Sequence, residues 1–329
     1  MHKALLIGCG DHGANTLLPA ALAAGIRVTA LVDADIEAAA LVADKYAIPR
    51  AFPDVAKLDL TGYEAVLLAL PVGEQARFAR WALENKLATF IEKPPAPDLA
   101  GLRELIDLAA AASVPPAVGM NFRWAQGVLE LEAAIASGEY GQITYTRVEH
   151  FARKPIAPFT PGDTLEASLF HAHGIHAIDL ARFLTPGTDR ISGQMIEVER
   201  GLHCVLTGED GAGRRLEAHF GSNAASFQHQ VRVVTTTGDM LVLDDLTELR
   251  HRPGGADQHV KQYPGDRVLW RRGSIKGGHG AAGYEPELAA FNALVEGHDQ
   301  PRLATLESLL PAYEAYDTLL TLRGLTWTA

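Results

Sequence analysis

The sequence is short of cysteine, of basic charge and of long apolar runs, and each shortage removes a class of protein. Two cysteines in 329 residues, Cys9 and Cys204, cannot build a disulfide framework or a cysteine-rich zinc site. No stretch approaches the roughly 18 apolar residues of a membrane span. The opening MHKALLIGCG is apolar but runs straight into a glycine turn. It lacks the longer apolar region and small-residue cleavage site of a signal peptide, so an intracellular, cytoplasmic protein is expected. Lysine and arginine number 29 against 40 aspartates and glutamates, for a net charge of −11. The basic residues are scattered and make no positive footprint for phosphates, which argues against nucleic acid as a partner. The acidic excess reads as solubility. No internal repeat is evident.

What is present describes a compact protein of about two domains, with 47 % apolar and 21 % charged residues. The first part alternates apolar runs with helical patterns. KALLI, RVTALVD, EAVLLAL, ATFIE and PPAVGM read as strands; the segments between them read as helices. That alternation implies βαβ units and a doubly wound parallel sheet. Pro19 falls inside the first helical pattern and should kink or shorten it. After about Ile135 short alternating strands follow one another, around one long helix near Ala167 to Leu184. They predict an α+β domain with a large, mainly antiparallel open sheet. The expected division is 1–121 and 122–329, with the C-terminal helix returning to the first domain. The glycine-rich RRGSIKGGHGAAGYEP reads as a mobile surface loop.

GCGDHG places Gly8, Gly10 and Gly13 in G-x-G-x-x-G spacing after a strand and before a helix. Asp33 ends the second strand, 20 residues beyond Gly13. This is the full context of a dinucleotide fingerprint. The free N–H groups and positive end of the helix suit a pyrophosphate. A carboxylate at Asp33 suits the ribose hydroxyls of NAD and opposes a 2′-phosphate, so NAD is expected over NADP. FIEKPPAPD then delivers Glu92 and Lys93 to the carboxyl edge of the sheet, where ligands bind. A partly desolvated lysine there would have a lowered pKa and could move protons near neutrality.

With GCGDHG, EKP, GMNFRW and GIHAIDLARFL in this order, the chain resembles the Gfo/Idh/MocA oxidoreductases along its whole length. The resemblance implies an N-terminal Rossmann domain and a C-terminal sheet domain, the latter often used for dimer or tetramer contacts. It puts Lys93 at the family's catalytic position and Glu92 beside the cofactor, with Pro94 preceded by a cis peptide bond in many members. Asp11 and His12 belong to the cofactor turn, and Asn121 also falls to the cofactor. Pro71 matches a T-P-N turn near the cofactor, although Leu70, Val72 and Gln75 replace the usual threonine, asparagine and histidine. Leu70 and Gln75 are still expected to contact cofactor. Arg123, Arg153 and Lys154 fall on segments that border substrate.

Three of the 13 histidines, His171, His173 and His176, crowd into LFHAHGIHAIDLARFL. On a regular helix H-x-H faces opposite ways, so the triplet cannot clamp one metal ion, and no metal is expected. The family pattern here is D-x-x-x-H. His176 matches its histidine, the usual proton carrier, and Ala172 stands where its aspartate would be. His173 is expected near substrate; His171 points away. Asp179 reads as an orienting partner for His176 or as a surface carboxylate. The implied function is an NAD-dependent oxidoreductase acting on a hydroxyl or keto carbon of a sugar, cyclitol or derivative, with Lys93 and His176 in proton transfer. The missing carboxylate leaves two alternatives: reduction of an imine or natural-product intermediate, and a non-catalytic nucleotide-dependent sensor.

Overall fold

The computed structural model describes residues 2–188, 190–254, 265–273 and 281–328. Residues 274–280 of the glycine-rich segment lie outside the described residues. The chain divides into two compact units, Met1–Asn121 with Gly283–Leu310, and Phe122–Ala282 with Pro311–Ala329.

In the first unit β1 (Lys3–Ile7), β2 (Arg27–Val32), β3 (Ala51–Phe52), β4 (Ala65–Leu68), β5 (Ala88–Glu92) and β6 (Ala117–Gly119) form a parallel sheet. Every residue of β4 and β5 is buried, as in a sheet covered on both faces. Helices α1 (Leu18–Ala23), α2 (Ile36–Tyr46), α3 (Val72–Glu84) and α4 (Leu99–Ala109) connect the strands. Asp35 starts α2 by accepting a hydrogen bond from the Ala38 amide, and Asp98 starts α4 through Gly101. Both follow the preference for a short carboxylate at a helix start. The first helix is short and irregular at Pro19, as its proline implies. A wide π turn, Gly13–Leu17, precedes α1 and leaves the proline among its first residues, where its missing N–H costs little.

In the second unit α5 (Gln126–Ala136) precedes β7 (Ile143–Phe151), and α6 (Leu165–Leu169) and α7 (Ile175–Leu184) follow it. The remaining strands are β8 (Arg190–Val198), β9 (Gly201–Glu209), β10 (Arg215–Gly221), β11 (Gln228–Thr235), β12 (Met240–Asp244), β13 (Glu248–Arg252) and β14 (Arg267–Arg271). Their order is β14-β13-β12-β11-β7-β10-β9-β8. Every pairing is antiparallel except β7 with β10. Helix α7 packs on β7 and β10, over the buried face carrying Thr146, Val148, Ala218 and Phe220. The expected long helix is present but irregular: a π turn, Phe170–Gly174, separates α6 from α7.

Gly283–Leu310 groups with the first unit rather than with 122–282. It brings α8 (Tyr284–Val295) and the edge strand β15 (Ala304–Thr305), antiparallel to β6. The first sheet therefore reads β15-β6-β5-β4-β1-β2-β3, with the strand order reversing between β1 and β4. Ligands lodge at such a reversal, beyond the carboxyl ends of the strands. The last helix, α9 (Leu306–Leu322), starts in one group and continues into the other at Pro311. Among the described residues no helix is long and apolar enough to cross a membrane.

Candidate active site

The three fingerprint glycines are required for different reasons. Gly8 sits at φ +98°, and a Cβ there would lie 2.1 Å from the Ala69 carbonyl oxygen. A Cβ on Gly13 would lie 2.1 Å from the Gly8 carbonyl oxygen, so this glycine lets the helix approach the turn. Around Gly10 there is nothing within 4 Å of a Cβ position. Its bareness serves approach from outside the protein. Gly8, Gly10, Asp33, Leu70 and Pro71 help line a cavity of about 410 Å³. The Asp33 carboxylate is held by the Cys9 amide at 2.7 Å and the Asp35 amide at 2.9 Å. Each oxygen has a second acceptor position, which two ribose hydroxyls can use. Turn, cavity and carboxylate fit a dinucleotide without a 2′-phosphate. Asp11 accepts a hydrogen bond from Asn15 at 3.0 Å on the helix that follows.

At the neighbouring strand ends Gln75, 1 % exposed, ties β4 to β5. Its side-chain oxygen accepts from the Leu70 amide at 2.9 Å, and its nitrogen donates to the Glu92 carbonyl. The sequence pointed to cofactor contact for Gln75; its amide is engaged within the protein. Glu92 is buried, and its carboxylate lies 3.2 Å from His12 Nε2. Gly119 makes room for it, since a Cβ there would meet the Glu92 carboxylate at 3.2 Å. Burial works against charge on His12, but the hydrogen bond and charge of Glu92 outweigh it and raise the imidazole pKa. Lys93 follows Glu92 and is half-buried, before a cis peptide bond to Pro94. Burial lowers its pKa, against the opposing pull of Glu92.

Two residues of α8 complete this cluster, and no motif in the sequence marks either. Glu287, fully buried, accepts the Met120 amide at 2.6 Å. Tyr284 meets the His12 ring edge-on at 5.6 Å between centroids. Its phenol pKa is raised by burial and by the charges of Glu92 and Glu287. Asn121, at the end of the unit's first segment, is buried.

In the second unit His176 stacks on Phe122 with ring centroids 4.4 Å apart. His173 hydrogen-bonds the Lys154 carbonyl and lies 4.8 Å from the His150 ring. His171 turns away, toward Trp327 and Phe170. His150 and His229, not anticipated from the sequence, face each other across β7 and β11. Their rings are 5.3 Å apart, and Phe122 and Phe227 adjoin both. Each occupies the apolar phase of an alternating strand, in VEHF and QHQV, which is the one signal that could have found them. Asp179 is not a surface group. It is 4 % exposed and paired with buried Arg123, which donates from Nε at 2.8 Å. Arg123, expected near substrate, thus carries a charge balanced inside the unit. Arg153 is exposed and donates to the Ala225 carbonyl at 2.8 Å; Lys154 is exposed. Among the described residues no three histidines, cysteines or carboxylates are arranged to hold a metal ion.

His229 is 1 % exposed, and neither ring nitrogen has a hydrogen-bond partner among the described residues. Burial pushes its pKa down to about 4. From about pH 6.5 down to 4 the unfolded chain binds a proton that the folded protein refuses. Stability should therefore fall as pH falls through this window, by about 3 kcal/mol at pH 4. Denaturant unfolding of His229→Leu is expected to show a flattened acid limb. An unchanged limb would remove His229 as its source.

Residues 2–120 match the family model of an oxidoreductase family with an NAD-binding Rossmann fold, and residues 128–241 match the GFO/IDH/MocA C-terminal domain. The chain is 28 % identical over 186 residues to D-apiose dehydrogenase of Rhizobium rhizogenes, covering 55 % of this chain and 53 % of that protein. It spans about half the length of the two apiose dehydrogenases it matches. It is also 28 % identical to inositol 2-dehydrogenase of Streptomyces avermitilis, over 94 % of this chain and 96 % of that protein. Among solved structures, a dehydrogenase from Chromobacterium violaceum superposes with a TM-score of 0.88 at 26 % identity, covering 98 % and 94 % of the two chains.

Proposed function

Because the chain belongs to the Gfo/Idh/MocA family of NAD-binding oxidoreductases, we propose that it is a dehydrogenase acting on a hydroxyl or keto carbon of a small polar substrate. The substrate class is a sugar, cyclitol or derivative. The observation that carries the reading is Lys93, half-buried at the carboxyl end of β5 with a lowered pKa. It stands in the same unit as a glycine turn and carboxylate that fit NAD.

Gly8, Gly10 and Gly13 would hold the pyrophosphate and Asp33 the adenosine ribose. Asp11, His12, Leu70, Pro71 and Asn121 would complete the cofactor site, with Glu92 and Gln75 fixing the strand ends that carry it. When bound, NAD supplies the acceptor or donor of the hydride. Neutral Lys93 takes the hydroxyl proton as the carbon loses hydride; charged Lys93 returns it in reduction. His176 shares that proton transfer. Ring contacts with Phe122 and His150 set its position, in place of the carboxylate that Ala172 does not provide. His173, Arg153, Lys154 and Arg123 border the substrate in this reading. A homodimer or homotetramer through the second unit's sheet belongs to the proposal. So does a cytoplasmic setting, which suits two buried free thiols.

The test is turnover with NAD over a panel that includes apiose, inositols, aldoses and ketoses, with an NADH arm on cyclic imines. Turnover of at least one polyol is expected. Turnover of imines alone would move the reading to imine reduction. Tight NADH binding with no turnover at all would move it to a sensor.

A further inference from the structure

The cavity beside Asp33 has a second wall that the fingerprint does not describe. It is contributed by the first turns of α3, where Glu74, Arg77 and Phe78 line the same space. Arg77 donates to Glu74 through Nε at 2.9 Å and again through Nη2. Its guanidinium also lies over the Phe78 ring, 4.1 Å from the centroid. The planar cation is thus held from one edge by a carboxylate and from one face by an aromatic ring. Of the charged residues lining the cavity, Asp33, Asp54 and Glu74 are acidic and Arg77 alone is basic. Asp54 is tied down by the Ala56 amide at 2.9 Å.

An ion pair three residues apart on a helix usually does no more than decorate a wet surface. This one borders the cavity that also holds Gly8, Gly10 and the ribose-facing carboxylate. A guanidinium plane is a good stacking partner for a purine, by both dispersion and charge–π attraction. It is also the best phosphate ligand among side chains, provided its donors are not already engaged. Which of these roles it takes depends on Glu74.

We propose that Arg77, backed by Phe78 and clamped by Glu74, forms the stacking wall for the adenine ring of the dinucleotide, and that the Glu74 clamp keeps this guanidinium from accepting a 2′-phosphate. Arg77 is then a cofactor-contact residue, and Glu74 a specificity residue acting beside Asp33. The inference rests on the NAD reading of the cavity. Wild-type NADH binding tests that reading by itself, before any variant is made.

The experiment measures dissociation constants for NADH, NADPH and reduced nicotinamide mononucleotide by ligand fluorescence. Wild type, Arg77→Ala, Glu74→Gln and the double variant are compared. Arg77→Ala is expected to weaken NADH about tenfold, the scale of one lost stacking contact. It should leave the mononucleotide, which has no adenine, unchanged. Glu74→Gln should tighten NADPH about tenfold, the scale of one freed charge-assisted contact. That gain should vanish in the double variant. Arg77→Ala binding NADH as wild type does would overturn the stacking wall. A NADPH gain that persists in the double variant would overturn the clamp. Equal loss of NADH and the mononucleotide in Arg77→Ala would show general disruption of the unit and would also count against the wall. Failure of wild type to bind NADH would remove the cofactor reading itself.

Discussion

Lys93→Met is expected to lower kcat about 10³-fold, within the range supplied by one positioned general acid–base group. NADH affinity should stay within about threefold of wild type, since methionine keeps the length and apolar stem of the side chain. The pH profile sharpens the expectation. Burial depresses the Lys93 pKa, so the neutral base needed for alcohol oxidation accumulates below the usual lysine range. In the oxidation direction, wild-type kcat/KM should rise with pH through that lowered pKa and then level. The variant should lose this limb while its residual rate persists. A Lys93→Met protein with an intact profile and near wild-type turnover would end the proton-transfer assignment. One that binds NADH normally and keeps only a residual rate without the pH limb would support it.

The second large effect concerns stability. Asp179→Ala removes the carboxylate that balances Arg123 inside the second unit, where both side chains are at least nine-tenths buried. Taking one partner from a buried pair costs about 3–5 kcal/mol, because the remaining charge stays in a medium that solvates it poorly. Replacing both, as Arg123→Met with Asp179→Leu, should recover most of the loss, since two apolar groups need no compensation. Denaturant midpoints for Arg123→Met, Asp179→Leu and the double variant supply the cycle, with Asp179→Ala measured beside it. If the double variant were as unstable as Asp179→Ala, packing rather than charge would be the cause.

The nucleotide turn was legible in the sequence because its requirements are local. Gly8, Gly10, Gly13 and Asp33 lie within one βαβ unit, and their spacing alone states the geometry. The two sheets were legible for a similar reason, since burial on both faces writes EAVLLAL and alternation writes QVRVV. What escaped notice depends on distant partners. Nothing near Arg123 announces Asp179, 56 residues later. His150 and His229 become neighbours only through the register of β7 against β11. Likewise Glu287 reaches Met120 across 167 residues. Both π turns were invisible because a period of 3.6 fits the flanking residues equally well. The face argument nonetheless holds across the wide turn at Phe170–Gly174: His171 turns toward Trp327, while His173 and His176 both face His150. Asp179 shows its limit: a carboxylate in a helix looked like surface until its partner came into view.

The Gln75 tie has a consequence for how the site responds to acidity. The family pattern that the sequence resembles has a histidine where Gln75 stands, and an imidazole would change its hydrogen-bonding pattern as it titrates. A primary amide has no such transition. The brace joining the Leu70 amide to the Glu92 carbonyl therefore keeps one donor–acceptor arrangement at every pH the folded protein survives. The peptide that carries Lys93 is anchored to a pH-indifferent strut, so protonation near that sheet edge can alter charge without resetting the backbone beneath it.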